Sequence, residues 1–119
     1  MRQWSTPSLT AKAATKNVAK WPTARVVAAD VRRTLASGEL GEVDAAVLDP
    51  PRSGAGHATI DALVAIKPRR VVYVACDPVA LARDTALLAD KGYQLDSVEA
   101  FDLFPMTHHV EAVAVFVAS

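Results

Sequence analysis

The sequence predicts an α/β domain: a largely parallel sheet covered by helices and closed by one antiparallel strand pair. Three observations carry this. Strand-like and helix-like runs alternate along the chain, the order that lays parallel strands side by side with helices over them. The runs 43–48 and 71–75 are apolar almost throughout, and strands without polar alternation are expected to be buried on both faces, as in a parallel sheet. The last two strand-like runs, 93–103 and 110–117, are joined by the short Phe104-Pro-Met-Thr-His-His109 connection, which favours an antiparallel pair.

Taken in order, Ser8 to Lys20 reads as a helix. Leu9, Ala13, Ala14 and Val18 fall at helical spacing, with Ser8 or Thr6 available as a cap. Trp21-Pro22 ends it, because proline disfavours helix in the residue before it. Ala24 to Ala29 is β-branched and reads as a strand ending at Asp30. Val31 to Ala36 is a helical turn closed by Ser37-Gly38. Val43 to Leu48 is the next strand. His57 to Ile66 reads as a helix with Ile60, Leu63, Val64 and Ile66 on its buried side, stopped by Lys67-Pro68. After the strand Val71 to Ala75, Pro78 stands where a helix starts at no hydrogen-bond cost. Val79 to Lys91 continues that helix, with Leu81, Thr85, Leu88 and Ala89 as expected core contacts and Gly92 as its C-terminal stop.

The 119 residues fit one domain, and 13 lysines and arginines balance 13 aspartates and glutamates. A neutral chain has no global pull toward nucleic acid, which leaves RNA binding open. One cysteine cannot form an internal disulfide, so a reducing cytoplasm is the expected compartment. No apolar run approaches the roughly 20 residues that cross a bilayer, and no membrane association is expected.

Ligands of open α/β sheets bind at the carboxyl ends of the strands. Two such ends carry unusual residues. Asp49-Pro50-Pro51-Arg52 follows the strand at 43–48: either a plain turn in which Asp49 accepts backbone bonds, or a rigid shelf aiming Asp49 and Arg52 at a ligand. Cys76 follows the strand at 71–75. Lone cysteines are commonly buried small hydrophobes, but this one lies at the mouth of the sheet where Asp77-Pro78 opens a helix, and a helix N-terminus stabilises a thiolate. Glu111, at the start of the last strand, either faces solvent at an edge or joins the site. Asp30 ends a strand-like run, as ribose-binding acids do and as ordinary helix caps do. His108 and His109 would point to opposite faces of a strand, and no cysteine or carboxylate spacing completes a tetrahedral set, so no metal is expected.

Together, Asp49-Pro-Pro-Arg-Ser-Gly54, Tyr73-Val-Ala-Cys76-Asp-Pro78 with Leu81-Ala-Arg-Asp84, and Phe101-Asp-Leu-Phe104-Pro-Met-Thr107-His-His-Val-Glu111 resemble the C-terminal part of the RNA uracil-5-methyltransferase family. Three ordered motifs are far more specific than any one. The resemblance covers about residues 11 to 119 and leaves the first ten unmatched. It implies a Rossmann-like sheet, S-adenosylmethionine as cofactor, and methyl transfer to C5 of a uridine in tRNA or rRNA. By the same resemblance Cys76 is the nucleophile that adds to C6 of uracil, and Glu111 removes the C5 proton. Asp49 contacts the cofactor beside the target base, Arg52 orients the reacting groups, and Asp30 binds the cofactor's adenosine part.

Two departures accompany the match. Asp77 stands where the family usually has asparagine, and a carboxylate beside a thiolate opposes its charge unless the helix terminus or Arg52 offsets it. The family's first two strands, its glycine-rich cofactor loop and the acid after the second strand have no counterpart here; the match has failed by Gln3 and Trp4. The expected sheet is therefore incomplete, with the Ala24–Ala29 strand either pairing directly with the strand at 43–48 or packing loosely. Two readings follow: the nucleophile-bearing part of a longer methyltransferase, or a catalytically inert truncated fragment that folds partly or associates with another chain, for instance with itself through the incomplete sheet.

Overall fold

The computed structural model describes residues 9–104 and 109–119. Its elements are α1 (Leu9–Val18), α2 (Val31–Ala36), β1 (Ala45–Leu48), α3 (His57–Ala65), β2 (Arg70–Ala75), α4 (Pro78–Asp90), β3 (Tyr93–Phe104) and β4 (His109–Ala118). The four strands form one sheet in the order β1-β2-β4-β3. β1 and β2 are parallel, and β4 runs antiparallel to both of its neighbours. Three of the four strands thus share one direction. The closing pair is antiparallel as expected, but β4 inserts between β2 and β3 instead of extending the edge in chain order.

Side-chain alternation assigns the two faces. Leu48, Val71, Tyr73, Ala75, Ala114 and Phe116 point to one face and are buried. There they meet Ile60 and Leu63 of α3 and Leu88 of α4 in a single core. α3 packs on α4, α4 lies against β2 and β3, and α2 leans on α3. Full burial of one such Leu or Ile contributes about 2 kcal/mol, so this face holds the domain together. Tyr93, at the start of β3, donates from its hydroxyl to the Pro68 carbonyl at 2.5 Å, and burial pushes its phenol up from the ordinary value.

Four expectations need correction. Ala24 to Ala29 is irregular chain, not a strand: β-branched residues make a strand only with a ladder to join, β1 has a single partner, β2, among the described residues, and Val27 is exposed. This run therefore does not pair with β1, and the four later strands form the continuous sheet. β1 is not buried on both faces, since Val47 is 64% exposed while Leu48 is fully covered; the helices that pack on the sheet lie on the Leu48 side. On α4, Leu88 and the partly buried Leu81 join the core as expected, but the buried row is Ala80, Asp84 and Leu88, and Thr85 is only half-buried and Ala89 exposed. On α1, Ala11 is the buried residue and Ala13 is exposed. The suggested caps Thr6 and Ser8, and His108, lie outside the described residues.

Candidate active site at the carboxyl edge of the sheet

β1 and β2 run in the same direction and deliver their C-terminal ends to one edge. Leu48 is level with Tyr73, which sets Asp49 just past the end of β1, with Cys76 beyond the end of β2. β4 arrives from the other direction. Its Ala112 pairs with Ala75, so Glu111 stands one rung further along, on the strand beside the Cys76 turn. Backbones of directly opposed antiparallel residues lie about 5 Å apart. Strand pairing thus gathers the sequence-predicted acid, nucleophile and base at one edge, from three neighbouring strands. Cys76 and Glu111 are half-buried, and Asp49 and Arg52 are exposed.

The Cys76 turn is held by its own helix. Asp77 is the N-cap of α4; its carboxylate accepts from the Val79 amide at 2.8 Å and the Ala80 amide at 3.4 Å, and Pro78 fills the first helical turn. An asparagine side-chain oxygen offers the same acceptor. Asp77 therefore keeps the cap that the family's usual asparagine would make.

The Asp49 loop is fixed by prolines and by contacts from α4. Pro50 is buried, and the Gly54 amide donates to the Pro51 carbonyl at 2.8 Å, closing a turn around Arg52 and Ser53. Asp84, fully buried in the middle of α4, accepts from the Ala55 amide at 2.7 Å, the Gly56 amide at 3.3 Å and the Tyr73 hydroxyl at 2.5 Å. Burial, and then the bond to Asp84, hold the Tyr73 phenol protonated far above its ordinary range. Arg83 donates to the Ser53 carbonyl. Asp84 lies inside the Leu81-Ala-Arg-Asp84 motif, to which the sequence alone assigns no role at this position. The available signal was an acid on the Ala80–Leu88 apolar row of a helix, where an unpaired charge would be intolerable.

Asp30 plays the local role considered for it: it caps α2, accepting from the Arg33 amide at 3.1 Å. It also lines a cleft of about 590 Å³ together with Asp49, Arg32, Leu48, Gly54 and Thr59. The two acids expected to meet the cofactor therefore share one cavity, whereas Cys76, Glu111 and Arg52 do not line it. Arg32 and Thr59 were not singled out from the sequence. The volume is that of a small-molecule site. Two carboxylates beside an apolar floor suit a ligand that bears hydroxyl donors and positive charge, which is the chemistry of S-adenosylmethionine. Among the described residues no cluster of metal-ligating side chains occurs, and no helix is long and apolar enough to cross a membrane.

The sheet, with its reversed strand set between β2 and β3 and its cleft at the carboxyl edge, has the Rossmann-like fold of S-adenosylmethionine-dependent methyltransferases. Within that class the family model "tRNA (Uracil-5-)-methyltransferase" matches residues 34–118, and the chain belongs to that family. An uncharacterized RNA methyltransferase of Streptomyces avermitilis is 50% identical over 99 residues, 83% of this chain and 23% of the relative. The 23S rRNA (uracil(1939)-C(5))-methyltransferase RlmD of Shewanella baltica is 48% identical over 77 residues, 65% of this chain and 17% of its own length. The Pyrococcus abyssi tRNA (uracil-54, C5)-methyltransferase, solved with S-adenosyl-L-homocysteine, superposes with a TM-score of 0.70 at 34% identity, over 89% of this chain and 26% of that one. The chain thus spans about a quarter or less of the length of these proteins.

Proposed function

We propose that this chain carries the nucleophile and base of an RNA (uracil-5-)-methyltransferase that acts on tRNA or rRNA within a longer parent enzyme. The single observation behind this is the strand register that sets Cys76 beside Glu111, one strand away from Asp49. Asp30 and Asp49 hold S-adenosylmethionine in the cleft they line, Asp30 at the adenosine part and Asp49 at the reacting end. The bound cofactor supplies an electrophilic methyl group.

Uracil C5 is a poor nucleophile until C6 is attacked, so covalent catalysis is required. The Cys76 thiolate adds to C6, and the displaced π electrons collect at C5 and O4 as an enolate. C5 then takes the methyl carbon, whose bonding pair stays on the departing sulfur. Glu111 accepts the C5 proton; the C5=C6 bond re-forms and the Cys76 sulfur leaves with its electron pair. Arg52 orients the reacting groups and supports the enolate's negative charge. A stacked base must first be turned out of its helix, a task for the parent enzyme as a whole. A reducing cytoplasm keeps Cys76 a thiol.

RNA carrying 5-fluorouridine at the target tests this in the parent enzyme with cofactor present. Fluorine at C5 cannot leave as a proton does, so a covalent protein–RNA adduct should persist under denaturing electrophoresis and be lost in Cys76→Ala. An adduct that survives that substitution removes Cys76 from the mechanism.

A second reading is favoured by exposed Val47 on a β1 with one strand partner among the described residues. In this reading the chain by itself is inert and associates through that edge, with another chain or with its own copy. Calorimetry and sedimentation separate the two. Micromolar affinity for S-adenosylmethionine argues against inertness, and a concentration-independent monomer argues against self-association.

A further inference from the structure

We infer that Asp84 is a positioning residue, one that fixes the Asp49–Arg52 shelf relative to Cys76; this rests on the site roles proposed above for Asp49, Arg52 and Cys76. Asp84 lies fully buried on α4. A buried carboxylate persists only when its oxygens are satisfied, and the donors here come from two other places in the fold. One is the Tyr73 hydroxyl of β2, three residues before Cys76. The others are the Ala55 and Gly56 amides, directly after the Asp49-Pro-Pro-Arg-Ser-Gly54 segment. The neighbouring Arg83 grips the same loop through the Ser53 carbonyl.

Three features carry this grip to the site. The segment from Asp49 to Gly54 is short and stiff, with two prolines of fixed φ and the Pro51–Gly54 turn. The contact is close: a Cβ on Gly54 would lie 2.7 Å from the Asp84 carboxylate and 3.0 Å from the Arg83 guanidinium. The helix that bears Asp84 begins immediately after Cys76 and is capped by Asp77. One rigid element therefore sets both the nucleophile turn and the acid–arginine shelf, and Asp84 is where it meets the shelf.

The test uses the chain itself, isotope-labelled, at a temperature well below its melting point. Tyr73→Phe removes only the Tyr73–Asp84 bond, whereas Asp84→Asn keeps one accepting oxygen and puts an amide donor in place of the other, against the loop amides. Residue-resolved hydrogen exchange is expected to show amides 54–56 losing about tenfold or more of their protection in Asp84→Asn. Resonances of residues 49–53 should shift or broaden with them. Tyr73→Phe should leave both sets near wild type. Arg83→Met, at an exposed residue, should loosen the same amides partly, and it keeps the idea testable if Asp84→Asn does not fold. Affinity for S-adenosyl-L-homocysteine should fall about tenfold in Asp84→Asn and less than about twofold in Tyr73→Phe. Loop amides in Asp84→Asn or Arg83→Met that match wild type overturn the proposal. So does a uniform loss of stability in Asp84→Asn and Tyr73→Phe with no change special to the loop. If the wild-type chain binds no S-adenosyl-L-homocysteine, the cofactor reading of the cleft falls, and the amides still decide the part played by Asp84.

Discussion

Replacing Gly54 by alanine tests how tightly the shelf and α4 are fitted together. Gly54 has φ +89°, a backbone conformation that costs an L-residue about 1–2 kcal/mol. Its added Cβ would also meet the Asp84 carboxylate at 2.7 Å and Ala80 Cβ at 3.2 Å, both on a buried helix face that cannot retreat without moving α4. Pushing Asp84 away breaks or stretches its three hydrogen bonds to Ala55, Gly56 and Tyr73. Each buried group left unpaired costs about 1–3 kcal/mol. The expected total is about 3–5 kcal/mol. Gly92 is the control: its φ is +90°, and nothing lies within 4 Å of its would-be Cβ, so Gly92→Ala should cost only the backbone part, about 1 kcal/mol. Urea unfolding followed by circular dichroism measures both. In thermal melts the gap between the two variants should be about 10 °C, taking roughly 4 °C per kcal/mol at this chain length. If Gly54→Ala is no worse than Gly92→Ala, the close approach of loop and helix is wrong, and the positioning argument built on it fails too.

Three further outcomes are expected. Tyr73 is held protonated above its ordinary value of 10.0; its stabilising share is complete below that pH and is lost as pH rises from there toward the folded-state value, because the unfolded chain gives up its proton first. Urea midpoints should therefore fall above about pH 10, by up to roughly 1.4 kcal/mol per pH unit for each such phenol, with Tyr93 adding in the same direction and Tyr73→Phe flattening the decline. Asp77→Ala removes the α4 cap and should cost about 1 kcal/mol, whereas Asp77→Asn should stay within about 0.5 kcal/mol in the same denaturation assay; equal losses would deny the capping role. Leu63→Ala opens a hole in a fully covered site and should cost about 2–5 kcal/mol, against a small change for Val79→Ala at a residue that is 74% exposed.

Much of the candidate site is legible in the chain because its markers are local. Asp49-Pro-Pro-Arg52 and Cys76-Asp-Pro78 announce the ends of strands through proline geometry, and the apolar runs before them could only be strands or buried helix turns. Glu111 falls at the start of the last apolar run, and the short 104–109 connection favours a strand that turns back. What failed was where local preference met missing or unseen partners. Ala24–Ala29 has β-branched residues and no ladder to join. Val47 lies in an apolar strand with one face uncovered. On α4 the expected Leu81 and Leu88 reach the core, but Asp84 joins the buried row, and polarity alone assigns an acid to solvent.

The sequence by itself determined the order of the elements from Val31 onward, the residue types at the two strand ends and the family, since each depends on residue identity and short-range backbone rules. The tertiary structure alone decided that β4 slots between β2 and β3, bringing Glu111 to the strand beside Cys76, because register is set by pairing between segments that are far apart in the chain. It also decided that Asp30 and Asp49 share one cleft. Last, it decided that Asp84 belongs inside: a buried carboxylate survives only where distant donors converge on it, and the convergence of Ala55, Gly56 and Tyr73 exists only once the loop, the strand and the helix have packed.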